Sequence, residues 1–340
     1  MEALVSRPLD IEPAAGRSSW LSSESRASWM LILVTLLWGL SFVLMKNWQN
    51  QAEACPAGVV LSSSTLIAWR MLIALAMLAL VAPGLFRQAT IKEHAAGALI
   101  GCVFYLGFVL QVSGLRYTTP ALSAFITSLG SAWVPVLAWL FFRIPVRPLI
   151  VLGLMAGVGG TALLAGGTDE TYSSWHWGPG EILTLLSSIL FAVEILLLDR
   201  LGKHVESAHI TVGFMAMSCL LATIVALATA AAQQSFTQSA RWAADMLATG
   251  SVLRDLILLG VVSTAMAFHW MNKYQPRLTP TRAALIYLLE PLFAALFAVA
   301  AGYDSITLRM LAGCSLILGG NLLVILPAWW ARRHLLAAAK

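Results

Sequence analysis

Apolar residues in this chain gather into ten runs, at 29–45, 61–82, 95–113, 121–141, 149–165, 181–198, 210–232, 255–272, 283–300 and 308–326. Each is close to the ~20 residues that a helix needs to cross a bilayer. The third to fifth and the eighth to tenth runs are joined by very short turns, which predicts antiparallel neighbours. The ninth run is interrupted at its middle by Glu290-Pro291. A carboxylate at that depth costs ~2.5–3.5 kcal/mol on insertion scales, so Glu290 is expected to face protein or water. Pro291 cannot donate to the carbonyl of Tyr287 and its ring clashes there, which predicts a kink.

Composition agrees with the pattern. The chain has 340 residues, 59% hydrophobic and 11% charged, with a mean hydropathy of +0.82. Soluble domains carry roughly 25% charged residues, so a polytopic membrane protein is indicated and the net charge of +5 is not a nucleic-acid footprint. The first 28 residues, rich in Ser, Pro and charge, are expected to be a disordered cytoplasmic tail rather than a signal peptide, and 327–340 a second cytoplasmic tail. With the N-terminus inside, fifteen Lys and Arg fall in inside segments against five outside, and Arg70 lies within the second run. That bias predicts an inner-membrane protein with both termini cytoplasmic. Of the two long outside stretches, 166–180 is a connecting loop and 233–254 is expected to hold a short interfacial helix around 240–248.

A repeat divides the chain. Thr119-Pro120 and Thr279-Pro280 each open a run, and Gly153-(x5)-Gly159-Gly160 is matched by Gly313-(x5)-Gly319-Gly320, all at an offset of 160 residues. Pro135 and Pro291 miss that offset by one helical turn. Five spans per half is odd, so the second copy inserts upside down. The expected fold class is an all-α membrane protein of ten transmembrane helices, built as two inverted five-helix repeats over 29–165 and 181–326. Such repeats are a common basis for alternating access.

Several motifs together resemble one family. Leu37-Trp38-Gly39-Leu-Ser-Phe42-Val-Leu-Met-Lys46, Trp69-Arg70, Gly114-Leu-Arg-Tyr117-Thr-Thr-Pro120, Leu289-Glu290-Pro291 and the closing Gly-x5-Gly-Gly pairs occur in order over roughly 30–326. This set resembles the EamA-type branch of the drug/metabolite transporter superfamily. The resemblance implies a ten-helix carrier whose central cavity is lined by helices one to four and six to nine, most often an exporter of amino acids, other metabolites or drugs. The acid that usually closes the family's repeats is represented by Asp304, with Arg143 near the corresponding place in the first half.

The candidate substrate-binding residues are Glu290, Arg70, Tyr287, Trp38, Gln111, Thr127 and Ser131, and Glu290 and Glu194 are the candidates for proton coupling. Arg70 keeps its charge in any surroundings. It is expected to pair with Glu290, to bind a substrate carboxylate through its two-pronged edge, or to snorkel. Ser123, Thr127 and Ser131 form a hydroxyl stripe leading to Pro135, serving either substrate or helix packing. Gly97-x3-Gly101 and Gly153-x3-Gly157 read as close helix contacts, and Lys46 as a snorkelling anchor. His269 and Asn272 read as interfacial polar groups. No nucleophile motif, metal-ligand spacing or phosphate loop occurs, and the four cysteines form no disulfide framework. The reading is a non-enzymatic secondary transporter with no cofactor and no metal. Its partners are a small-molecule substrate and the lipid bilayer, not nucleic acid, and a homodimer is an allowed assembly. The alternatives are a membrane-embedded lipid-handling protein or enzyme, and a non-transporting sensor.

Overall fold

The computed structural model describes residues 23–87, 89–143, 148–165, 178–201, 207–278, 283, 286–320 and 322–323. Over these residues the chain is all-helical, and each of the ten apolar runs contains a helix. They are α1 (Ser23–Gln51), α2 (Gly58–Val81), α3 (Ile91–Leu115), α4 (Pro120–Ser128 continued by Gly130–Phe142) and α5 (Pro148–Ala165). There follow α6 (Pro179–Leu201), α7 (Ser207–Ala232), α8 (Gly250–Ile257, Leu258–Met266 and Ala267–Tyr274), α9 (Leu289–Ala300) and α10 (Leu308–Gly320). Seven described helices, α1–α4 and α6–α8, are long and apolar enough to cross a membrane; α5, α9 and α10 are shorter apolar helices. The helix expected in the second long loop forms over Phe236–Ala248. The two predicted tails and the 166–180 loop lie almost wholly outside the described residues.

Local chemistry sets several boundaries. Thr90 and Glu93 cap α3 reciprocally, each side chain bonding the other's backbone N–H. Thr119 accepts from the N–H of Leu122, and Pro120 fills the first position of α4. Two helices are broken rather than smoothly kinked. Leu129 (φ −62°, ψ −15°) divides α4, and Leu288 (φ −65°, ψ −12°) precedes α9. The expectation of a kink at a mid-helix Glu290-Pro291 is therefore corrected: both residues sit in the first turn of α9. There Pro291 sacrifices no helical hydrogen bond, because first-turn amides have no acceptor in the helix. The two breaks lie 159 residues apart, close to the repeat offset that the two prolines miss.

The principal helix contacts are α3 with α6 and α7, α2 with α7 and α8, α1 with α8 and α9, and α4 with α6 and α9. Exchanging every helix with the one five places along maps this set onto itself. The glycine elements behave the same way. A Cβ on Gly160 would lie 2.7 Å from the Gly313 carbonyl oxygen, and one on Gly320 would collide with the carbonyl oxygen of Gly153. Gly97 and Gly101 meet the α7 backbone as expected, a Cβ at Gly97 falling 2.6 Å from the Ile210 carbonyl oxygen. Adding a methyl at Gly160 forces α5 from α10, so Gly160→Ala is expected to cost about 1–3 kcal/mol in detergent thermal unfolding. Gly159→Ala, with open space at that Cβ, is the neutral control.

Candidate functional site

Five helices and the residue just before α9's break meet on a layer of aromatic rings. Trp38 of α1 lies 5.8 Å from the ring of Tyr287, just before α9, and 5.6 Å from Phe268 of α8. Phe268 reaches Phe104 of α3 and Phe214 of α7, and Phe104 reaches Phe108 and Phe191 of α6. The Tyr287 hydroxyl donates to Gln275 Oε1 at 2.7 Å. Trp38 can take this place because its neighbour is glycine: a Cβ on Gly39 would lie 2.7 Å from Phe293 Cβ and 2.8 Å from the Ala294 nitrogen of α9. Glu290 follows Tyr287 by three residues, partly exposed and at the positive end of the α9 dipole, where a carboxylate is favoured. Among the described residues neither Glu290 nor Glu194 makes a hydrogen bond or ion pair.

Arg70 lies at the other edge of the ring layer and is 4% exposed. The expected Arg70–Glu290 pair does not form. Nε instead donates to Thr264 Oγ1 at 2.6 Å, Nη1 to Met45 Sδ at 3.4 Å and Nη2 to the Ser263 carbonyl at 3.5 Å. The guanidinium carbon stands 4.9 Å from the centre of the Phe108 ring. Both α8 partners belong to Leu258–Met266, nine residues wound as a π-helix, where Thr264 Oγ1 donates five residues back to the Leu259 carbonyl. Such widening, often found at functional sites, frees carbonyls that an ordinary α-helix would use internally. Ser263 Oγ also donates to the Leu37 carbonyl at 3.0 Å, tying α8 to α1.

Gln111 and Thr127 are brought together. Gln111 Nε2 donates to Thr127 Oγ1 at 2.8 Å, and that hydroxyl donates to the Ser123 carbonyl. The Ser123 and Ser187 hydroxyls and the Trp133 indole N–H, on α4 and α6, are buried without a hydrogen-bond partner among the described residues. The side chains of Ser131 and Asn272 lie outside the described ones, and His269 is half-buried. Glu194 is partly exposed on α6, three residues beyond Phe191 of the ring layer.

None of the seven candidates lines the cavity of about 310 Å³ that opens between the C-terminal end of α1 and the N-terminal end of α8. Asn47, Asn50, Arg254, Asp255 and Tyr303 surround it over a floor of Leu44, Leu256 and Leu259. Asn47 Nδ2 donates to Asp255 Oδ2 at 3.0 Å, Asn50 donates to the Tyr303 hydroxyl at 3.2 Å, and that hydroxyl donates to Asn47 Oδ1. Arg254 pairs with Asp255 at 2.8 Å. Sequence reading missed this cluster, because Asn and Tyr near the ends of apolar runs look like ordinary interfacial residues.

Lys46 is no snorkelling anchor. Its Nζ donates inward to the carbonyls of Leu115, Arg116 and Thr118 at 2.8, 3.1 and 2.9 Å. On the other side of the same turn Asp304 accepts from the Ala121 N–H at 3.3 Å. Burial pushes the Asp304 carboxyl above its ordinary range, opposed by the Thr119 and Ala121 hydrogen bonds and the Lys46 charge. Arg143 closes α4 in the left-handed conformation, φ 55°.

The sequence pattern of the EamA-like transporter family matches residues 25–166 and 178–326. The chain belongs to that family. EamA proteins form part of the drug/metabolite transporter superfamily, so this is a multi-pass membrane transporter. An uncharacterized transporter of Archaeoglobus fulgidus is 26% identical over 230 residues, 68% of each chain. The uncharacterized transporter YvbV of Bacillus subtilis is 22% identical over 306 residues, 88% of this chain and 92% of its own. A solved crystal structure superposes with a TM-score of 0.53 at 19% identity, covering 91% of this chain and 99% of the other, which shows the fold. Within the EamA resemblance, Trp38-Gly39 gains a physical basis as ring and close approach, and Arg70 as the residue that seats the π-helix.

Proposed function

We propose that the protein is a secondary carrier of small metabolites that works by alternating access between two inverted five-helix halves, 29–165 and 181–326. Both termini are cytoplasmic and the membrane is the inner one, from the distribution of Lys and Arg; export is the direction the family resemblance implies. What carries this reading is the packing that survives exchange of the halves, with its reciprocal α5–α10 glycine contacts. The two stretches matched by the family support the same division.

On this reading the described shape is outward-facing. The cavity between α1 and α8 is on the outside, while Trp38, Tyr287 and Gln275 close the inside together with Leu31, Leu278 and Ile286. Exchanging the halves turns the α1–α8 contact into α6–α3. The inward-facing state therefore opens α3 from α6 at the inner end, where Glu194 sits, as α1 closes on α8. Glu290, Tyr287, Trp38 and Arg70 meet the substrate, with Gln111, Thr127 and Ser131 on the α3–α4 wall.

The test is counterflow in vesicles with labelled amino acids, organic acids, nucleosides and cationic drugs. It is joined to labelling of single cysteines at Asn50 and Gln275 in a cysteine-free background. Saturable flux of at least one class is expected, with position 50 losing and position 275 gaining reactivity as substrate is added. No flux of any class, or reactivities that rise and fall together, would end the carrier reading.

A further inference from the structure

We infer that Arg70 is an anion site that receives the carboxylate of the transported molecule, so that the substrate class is small organic acids and zwitterions with a free carboxylate. The inference rests on the carrier reading above and narrows its substrate.

Every described partner of this guanidinium is neutral: a hydroxyl, a thioether, a carbonyl and an aromatic face. A charged residue at the centre of a membrane helix carries a cost of ~2.5–3.5 kcal/mol even on lenient scales, and pairing is the usual remedy. Among the described residues no carboxylate pairs with Arg70. The guanidinium has five N–H groups, and three described bonds leave one free N–H on each of Nη1 and Nη2. Those two nitrogens form the edge that a carboxylate grips with two parallel hydrogen bonds.

The rest of the site holds that edge in place. Thr264 fixes Nε through the shortest of the three contacts, and Phe108 covers the flat face. The contacts on the terminal nitrogens, a thioether at 3.4 Å and a carbonyl at 3.5 Å, are the ones an arriving carboxylate displaces most easily. Two residues that line the outer cavity adjoin the site in sequence or by contact: Leu44 precedes Met45, and Leu259 supplies the carbonyl that orients Thr264.

The experiment uses the purified full chain and a matched pair of probes, phenylacetate and its neutral analogue phenylacetamide, with sodium chloride as the halide control. Phenylacetate is expected to raise the melting temperature of the wild type in a saturable way, whereas phenylacetamide and chloride do not. Arg70→Gln should abolish that shift, read against the variant's own ligand-free melting temperature, which loss of the Thr264 and Ser263 hydrogen bonds lowers. Arg70→Lys keeps the charge but not the fork, and should weaken phenylacetate at least about tenfold without eliminating it. It serves also if the Gln variant does not fold. A shift that survives Arg70→Gln, an equal response to phenylacetamide or chloride, or wild-type affinity in Arg70→Lys would each overturn the assignment. So would the absence of any wild-type shift. Vesicle flux of a neutral or cationic solute unaltered by Arg70→Gln would reject the carboxylate site and keep the carrier. A phenylacetate shift without flux of any solute would do the reverse.

Discussion

Replacing Glu290 by Gln is expected to reduce flux by about ten- to a hundredfold while leaving the protein inserted and no less stable. Both halves of that expectation come from its surroundings. The carboxylate has no cationic partner and no hydrogen bond among the described residues. All that is lost with the charge is its ~0.3–1 kcal/mol interaction with the α9 dipole, less than the desolvation the amide avoids. An ionised group at this depth is a cost of ~2.5–3.5 kcal/mol that the amide avoids. The flux estimate is the ~1.5–3 kcal/mol typical of a hydrogen bond to a charged group, the interaction a substrate or proton would forfeit. Glu290 is well placed to provide it, in the first turn of α9 beside Tyr287 and the Trp38 ring. If the acid handles the coupling proton, the residual flux of the Gln variant should also show a flattened pH profile. Loss of stability with unchanged flux would make Glu290 a structural residue and remove it from the mechanism.

The lipid-spanning scale of this protein is written directly in its sequence, because long apolar runs answer to bilayer thickness. The glycine pairs were equally legible: Gly153, Gly160, Gly313 and Gly320 have no side chain to pack, and the structure places each opposite a partner. Partnerships between distant polar groups were not legible. Nothing in the order of residues says that Arg70 turns to Thr264 rather than Glu290, since that choice depends on a π-helical register 194 residues further along. The same limit hid the Asn47–Tyr303–Asp255 cluster, assembled from three separate segments. Gln111 and Thr127 were both recognised, yet that one bonds the other emerges only from the crossing of α3 with α4. Proline positions misled for a related reason. Pro291 marks a break, but the break falls at Leu288, which leaves the proline in the first turn, where its missing N–H has no helical acceptor to lose.

Lys46→Met is expected to destabilise the protein by about 2–4 kcal/mol, from the loss of charge-assisted hydrogen bonds and the carbonyls left behind. The ammonium has three N–H groups and the turn after α3 offers it three carbonyls, all within 3.1 Å. Methionine fills similar space and donates nothing. Asp304 then loses its neighbouring cation, so its carboxyl, already raised by burial, should rise further and hold the start of α4 less firmly as an anion. Arg116 repels Lys46 across this turn, which offsets part of the loss and keeps the figure below the sum of three strong bonds. Thermal unfolding in detergent reads the loss, and protease cleavage within 115–121 locates it. Lys46→Arg should be intermediate, because a planar fork cannot address three converging carbonyls as a tripod does. In a double-mutant cycle, Lys46→Met and Asp304→Asn should couple by more than ~0.5 kcal/mol, since both act on the same turn. A snorkelling lysine would show neither the coupling nor the cleavage, so a Lys46→Met change within experimental error of the wild type would return it to the interface and leave α4 anchored by Thr119 and Asp304 alone.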